Sequence, residues 1–154
     1  MSELWEGCLI CRGKSCCNLD IAHPLFVTQE EMKRIRDLYP DKAESFNKTF
    51  PCPFLLEDGL CMIHENKPVD CRLFPFDLIK SDGKFFWIIW KLDCLILRDE
   101  GKFEEYLSDL EVRLIPGFSP YLEDYSLFRI DELFSKFSYE VLREVRCWNG
   151  SIGQ

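Results

Sequence analysis

Histidine and methionine are scarce: the 154-residue chain has only two of the first and three of the second. With so few imidazoles and no His-Glu-x-x-His pattern, the sequence argues against a catalytic zinc hydrolase. It has no glycine-rich phosphate loop, which argues against nucleotide chemistry built on such a cradle. The Cys-x3-Cys-x2-Cys spacing of radical S-adenosylmethionine enzymes is missing as well. Positive charge is short, with 19 Lys and Arg against 27 Asp and Glu, a formal net charge of −8. Such a surface repels polyphosphate, so nucleic acid is not an expected partner. The longest apolar run, Phe85-Phe-Trp-Ile-Ile-Trp90, falls far below the ~20 residues of a membrane span. The opening, Met1-Ser-Glu-Leu-Trp-Glu-Gly-Cys8, has no basic stretch leading into an apolar one, so no signal peptide is expected. Internal repeats and flexible linkers are absent too.

Apolar residues make up 47% of the chain, with 13 Phe, 4 Trp and 5 Tyr. That is enough to build a core, because a domain of this length buries roughly 70% of its unfolded surface. The expectation is one α+β domain over residues 1–154 and not a disordered chain. Nine cysteines are the unusual feature. Seven fall within residues 1–77 (Cys8, Cys11, Cys16, Cys17, Cys52, Cys61, Cys71), and only Cys94 and Cys147 follow. Cross-links would leave an odd cysteine in a chain already large enough to fold without them. A cytoplasmic protein is therefore expected, and in a reducing compartment clustered thiols point to metal or redox chemistry.

The regular elements place these thiols. Thr28-Gln-Glu-Glu31 reads as a capping box that opens a helix through Met32 and Ile35 and stops at Pro40. Asp41 reads as the cap of a short second helix. Phe54-Leu-Leu, Glu57-Asp-Gly59 and Leu60-Cys-Met-Ile63 predict a first hairpin. Phe76–Lys80, the turn Ser81-Asp-Gly-Lys84 and Phe85–Leu92 predict a second. The Phe85–Trp90 run lacks alternation, which implies a strand covered on both faces. Residues 100–148 read as a helical extension: a helix from Phe103, an N-cap and first-turn pair at Ser119-Pro120, and an amphipathic helix from Ile130 to Trp148.

Cys8-x2-Cys11 is a knuckle whose two intervening residues let a turn aim both sulfurs at one centre. Adjacent side chains such as Cys16 and Cys17 diverge on either a strand or a helix. They more easily serve two centres, or two irons of one cluster, than a single ion. Folding the first hairpin brings Cys52 and Cys61 together, and Pro68 restrains the turn before Cys71. Arg72 can offset thiolate charge or donate hydrogen bonds to sulfur. Cys94 closes the second hairpin and can return to the same region.

Taken as a set, Cys8-x2-Cys11-x4-Cys16-Cys17, Cys52-Pro-Phe-Leu, Gly59-x-Cys61-x-Ile63, Pro68-x2-Cys71-Arg-x-Phe-Pro75 and a later Cys94 resemble the YkgJ-type cysteine-cluster family, a zinc- or iron-chelating domain. The resemblance spans residues 8–94 and implies the ligands Cys8, Cys11, Cys16, Cys17, Cys52, Cys61, Cys71 and Cys94. Three features depart from the family pattern: a longer spacer Arg12-Gly-Lys-Ser15, His64 where Tyr is common, and Lys67 where Arg is common. Eight cysteines divide into two four-thiolate sites, which suits one or two iron–sulfur clusters of the [4Fe–4S] kind or two zinc ions. A single knuckle followed by scattered cysteines leans towards iron–sulfur, since zinc folds usually pair two knuckles.

The expected function is iron–sulfur electron transfer, redox sensing or cluster handling with a protein partner. The alternatives are a structural zinc module for protein interaction and an iron–sulfur enzyme with an open iron position. Cys147 reads as packing or a lone thiol, and His23 as structural. His64 reads as a surface or satisfied histidine. Trp87 and Trp90 read as parts of a buried strand, with shielding of a cluster as the rival assignment. Glu104–Glu105 and Glu123–Asp124 read as solvated helix faces.

Overall fold

The capping box at Thr28 forms as its side chains dictate. Thr28 Oγ1 accepts the Glu31 amide at 3.1 Å, and Glu31 Oε1 accepts the Thr28 amide at 3.0 Å. Helix α1 runs from Gln29 to Leu38 and buries Ile35. The computed structural model describes residues 24–49, 52–57, 61–91, 100–128, 135 and 137–146, and all structural statements concern these. Helix α2 (Pro40–Ala43) is preceded by Tyr39 and not capped by Asp41, a correction to the sequence expectation. Pro40 takes the first helical position, where its fixed φ and missing N–H fit, so Asp41 lies inside the first turn. Asn47 then adopts a left-handed conformation, φ 64°, which Asn tolerates better than most residues.

The first expected hairpin is reduced to a single antiparallel bridge between Leu55 and Cys61, supported by the Met62 amide on the Phe54 carbonyl at 2.8 Å. The outgoing arm curls because the Leu55 amide closes a turn onto the Cys52 carbonyl at 3.0 Å, with Pro53 second in that turn. Its expected tip, including Gly59, lies outside the described residues. A 3₁₀ turn at His64–Asn66 leads through Pro68 into helix α3 (Val69–Leu73), and the Phe74–Pro75 bond is cis.

Strands β1 (Phe76–Ser81) and β2 (Lys84–Trp90) form the second expected hairpin. Ser81 pairs with Lys84 around a two-residue loop in which Asp82 and Gly83 have φ 52° and 77°. That is the combination whose twist matches the strands it joins. Strand β3 (Tyr139–Glu144) completes an antiparallel sheet of order β1-β2-β3. Here the expected helix over Ile130–Trp148 is overturned for residues 139–144. Trp87 pairs with Arg143 and Ile88 with Val141, so Leu142 is an extra residue in the ladder. A bulge of this kind breaks the period of two, and Val141, Leu142 and Val145 consequently imitate helical spacing.

Helices α4 (Phe103–Arg113), α5 (Ile115–Phe118) and α6 (Leu122–Leu127) cover one face of the sheet. Leu107, Leu110, Ile115, Phe118 and Leu122 form one buried cluster with Phe76, Leu78, Phe85, Trp87 and Ile89. Ser119 does not cap a helix as expected. It lies within a 3₁₀ turn, Ser119–Tyr121, and its hydroxyl donates back to the Pro116 carbonyl at 3.1 Å. On the opposite face Ile88 and Trp90 pack with Phe74, Ile79 and Phe137, so β2 is covered on both sides as its unbroken apolar run implies. Among the described residues, no helix is long and apolar enough to cross a membrane.

Candidate metal centre

Three candidate ligands fall among the described residues, and local chain chemistry places each. Cys52 opens the Pro53 turn, Cys61 stands at the bridge to Leu55, and Cys71 lies in the middle of α3. All three are half-buried. Cys52 and Cys61 pack against the same apolar cluster of Ile35, Ala43, Phe46, Phe54 and Ile63. Cys8, Cys11, Cys16, Cys17, Cys94 and Cys147 lie outside the described residues, as does His23. Among the described residues, no three His, Cys, Asp or Glu side chains group closely enough to hold a metal ion. A complete centre on Cys52, Cys61 or Cys71 therefore needs donors from elsewhere in the chain.

The chemistry of this donor set fits zinc or iron. Thiolate sulfur is the soft donor both metals accept, and cationic side chains lie in the same segments. Lys67 is 7% exposed, with Nζ 3.4 Å from Nδ1 of half-buried His64. Lys42 Nζ donates to the Pro53 carbonyl, next to Cys52, at 3.0 Å. Arg72 donates from Nε to the Lys67 carbonyl at 3.0 Å and from a terminal nitrogen to the Glu65 carbonyl at 3.3 Å. It thereby pins the loop that leads into the Cys71 helix.

Helix α3 is anchored by a carboxylate network with no local signature in the sequence. Asp70, beside Cys71, accepts the Phe26 amide at 2.8 Å and faces the Tyr125 hydroxyl at 2.9 Å. The same hydroxyl makes a short hydrogen bond with Asp77. The second oxygen of Asp77 accepts Trp90 Nε1 at 3.0 Å. Burial, together with the Asp77 charge, pushes the Asp70 carboxyl up to about 7, against the hydrogen bonds it accepts. Burial also raises Asp77, and burial plus the two carboxylates raises Tyr125 well above a phenol's usual range. A phenol has one proton to donate, so a proton held by one of the carboxyls lets Tyr125 bond with both. Glu31 alone carried a sequence signal, its place in the capping box. Its second oxygen accepts the Val69 amide at 2.7 Å and so fixes the start of α3.

The acids Glu104, Glu105, Glu123 and Asp124 are exposed as the sequence implies, and two of them also form surface ion pairs. Glu104 is exposed, yet it pairs with Arg143 at 2.9 Å and Arg146 at 2.6 Å; Glu123 pairs with Lys80 at 2.7 Å. Glu111, 2% exposed, accepts two Arg143 nitrogens at 2.7 and 2.9 Å, Trp87 Nε1 at 2.9 Å and the Arg146 amide at 2.7 Å. Burial pushes its carboxyl up, but these partners together outweigh it and hold the group below its usual range. Trp87 is thus committed to the sheet core and Trp90 to the opposite sheet face, while Cys52 and Cys61 belong to a different cluster.

The described chain is thus a mixed α+β fold with half-buried cysteines at a turn, a bridge and a short helix. The CxxCxxCC family model, described as "Putative zinc- or iron-chelating domain", matches residues 7–102, and the chain belongs to that family. No curated protein and no solved structure matches the chain.

Proposed function

We propose that the protein binds metal through its cysteine cluster, and that the cargo is one or two iron–sulfur clusters used in electron transfer, redox sensing or cluster handling. The observation that carries the reading is the placement of Cys52 and Cys61, nine residues apart, against one apolar cluster, with Cys61 itself in the bridge to Leu55. Cys71 lies on a separate helix whose first turn is anchored through Glu31 and Asp70. Scattered single cysteines of this kind suit cluster ligation better than the paired knuckles of zinc modules. Cys8, Cys11, Cys16, Cys17 and Cys94 complete the donor set. An iron–sulfur centre supplies one-electron chemistry. The chain's own part is to hold thiolates, exclude water with the Phe46–Phe54 aromatic pair and balance charge with Lys67 and Arg72.

The test is anaerobic purification of the full chain followed by elemental and sulfide analysis. The expected product is brown, with broad visible absorption and matched iron and acid-labile sulfide. A colourless protein with stoichiometric zinc contradicts the iron–sulfur assignment and favours a structural zinc module.

A further inference from the structure

Residues 25–28 satisfy their backbone largely through side chains contributed by other segments. Asn47 grips Leu25 twice: its Oδ1 accepts the Leu25 amide at 2.6 Å and its Nδ2 donates to the Leu25 carbonyl at 2.9 Å. Asp70 accepts the Phe26 amide at 2.8 Å. Glu31 accepts the Thr28 amide with one oxygen and the Val69 amide with the other. Side chains alternate along this segment. Leu25 and Val27 pack on the cluster that Cys52 and Cys61 join, whereas Phe26 packs on the sheet core. The Phe26 ring makes edge contacts with Phe118, Tyr125 and Phe128 at 5.9, 5.3 and 5.7 Å.

The sequence positions give this arrangement its meaning. Leu25 follows Cys17 by eight residues, Asn47 precedes Cys52 by five, and Asp70 is the neighbour of Cys71. The Asn47 grip on the 25–28 strap therefore comes from a segment that leads into a candidate thiol, and the Asp70 grip from the helix that carries one. The amide of Asn47 imitates a strand partner for Leu25, and its left-handed backbone presents it from a turn. The doubly accepting Glu31 ties the strap to the first residue of the Cys71 helix.

Resting on the metal-binding reading above, we infer that Asn47, Glu31 and Asp70 are positioning residues of the metal centre: through the strap they set the spacing between the turn that leads into Cys52 and the helix that carries Cys71. They act through backbone and need no contact with metal. Groups that orient ligands from behind typically change metal affinity by about 10- to 100-fold when removed.

The experiment compares metal-loaded full-length wild type with Asn47→Ala, Glu31→Ala, Glu31→Gln and Leu110→Ala. It follows transfer of iron or zinc to a colorimetric chelator, alongside thermal unfolding of the metal-free forms. Leu110→Ala is the control, because it opens a cavity in the sheet core and takes no part in the hydrogen bonds that hold the strap. Asn47→Ala and Glu31→Ala should release metal about 10- to 100-fold faster than wild type. Glu31→Gln, with one acceptor left, should fall between, and it decides the matter if the alanine variants fail to fold. Leu110→Ala should release metal at the wild-type rate despite its lowered melting temperature. Wild-type release from the strap variants, or equally fast release from Leu110→Ala, overturns the inference alone. A wild-type protein that holds neither iron nor zinc removes the metal-binding reading itself.

Discussion

Residues 24–73 and 76–146 solve the folding problem in different ways. Among the described residues, the second region packs three helices against a three-stranded sheet, and its main cluster has fifteen buried residues, all but Leu73 from that region. The first has a cluster of five, Ile35, Ala43, Phe46, Phe54 and Ile63, and elements of three to ten residues. It is held together by side chains that reach for backbone: Asn47 to Leu25, Asp70 to Phe26, Glu31 to Val69, Arg72 to Lys67. Such bonds each contribute only about 1 kcal/mol net. A small core under irregular chain is the setting in which bound metal contributes directly to folding. Every described candidate ligand lies in this first region, so on the proposed reading bound metal should matter more to the folding of the first region than to that of the second.

The largest effects fall on the thiols. Cys61→Ser and Cys71→Ser should each abolish metal retention at the centre they serve, measured as iron or zinc per chain. The sheet should survive, measured as β1–β2 amide protection. Retention of full metal content in both variants would break the contrast between the regions.

Next come the anchors of the sheet core. Glu111→Ala should cost about 3–5 kcal/mol, because it leaves the mostly buried Arg143 with only the exposed Glu104 as its carboxylate partner and strips Trp87 Nε1 of its acceptor. Trp87→Ala should cost a similar amount, about 3–5 kcal/mol, through cavity formation. Both are read by chemical denaturation of the metal-free protein, in which the sheet region dominates the transition. Neither should alter metal stoichiometry.

The acid response of the same anchor sharpens the comparison. The folded carboxyl of Glu111 sits below its ordinary 4.5, so its contribution is present above that pH and is lost as pH falls through the folded value. The stability gap between wild type and Glu111→Gln should therefore shrink on acidification below 4.5. A gap that is constant or grows in acid contradicts the assignment. Smallest of all, Thr28→Ala should cost about 1 kcal/mol through loss of the cap, read as a modest drop in the unfolding midpoint.

Local chemistry was legible in the sequence, and long-range chemistry was not. The capping box at Thr28 and the Asp82-Gly83 turn each lie within four residues, and both formed as their residue types require. The double burial of Phe85–Trp90 was readable because a run without polar alternation has no face to give to water. Strand β3 was misread because its partner is β2, about fifty residues away, and because Leu142 disrupts the alternation that would have marked it. The first hairpin was overestimated because the Pro53 turn curls the arm that the apolar pattern would extend. For the candidate centre, the thiols could be picked out by number and spacing. The side chains that place them could not: Asn47, Asp70, Asp77 and Tyr125 are common residues at unremarkable spacings, and only the folded chain makes neighbours of them.

The most direct measurement is residue-resolved hydrogen exchange on the reduced full chain, with metal bound and after its removal. The account predicts that removal raises exchange across residues 24–73, including the amides of Leu55, Met62 and Val69, while the β1–β2 amides keep their protection. Equal protection of both regions with and without metal would contradict it.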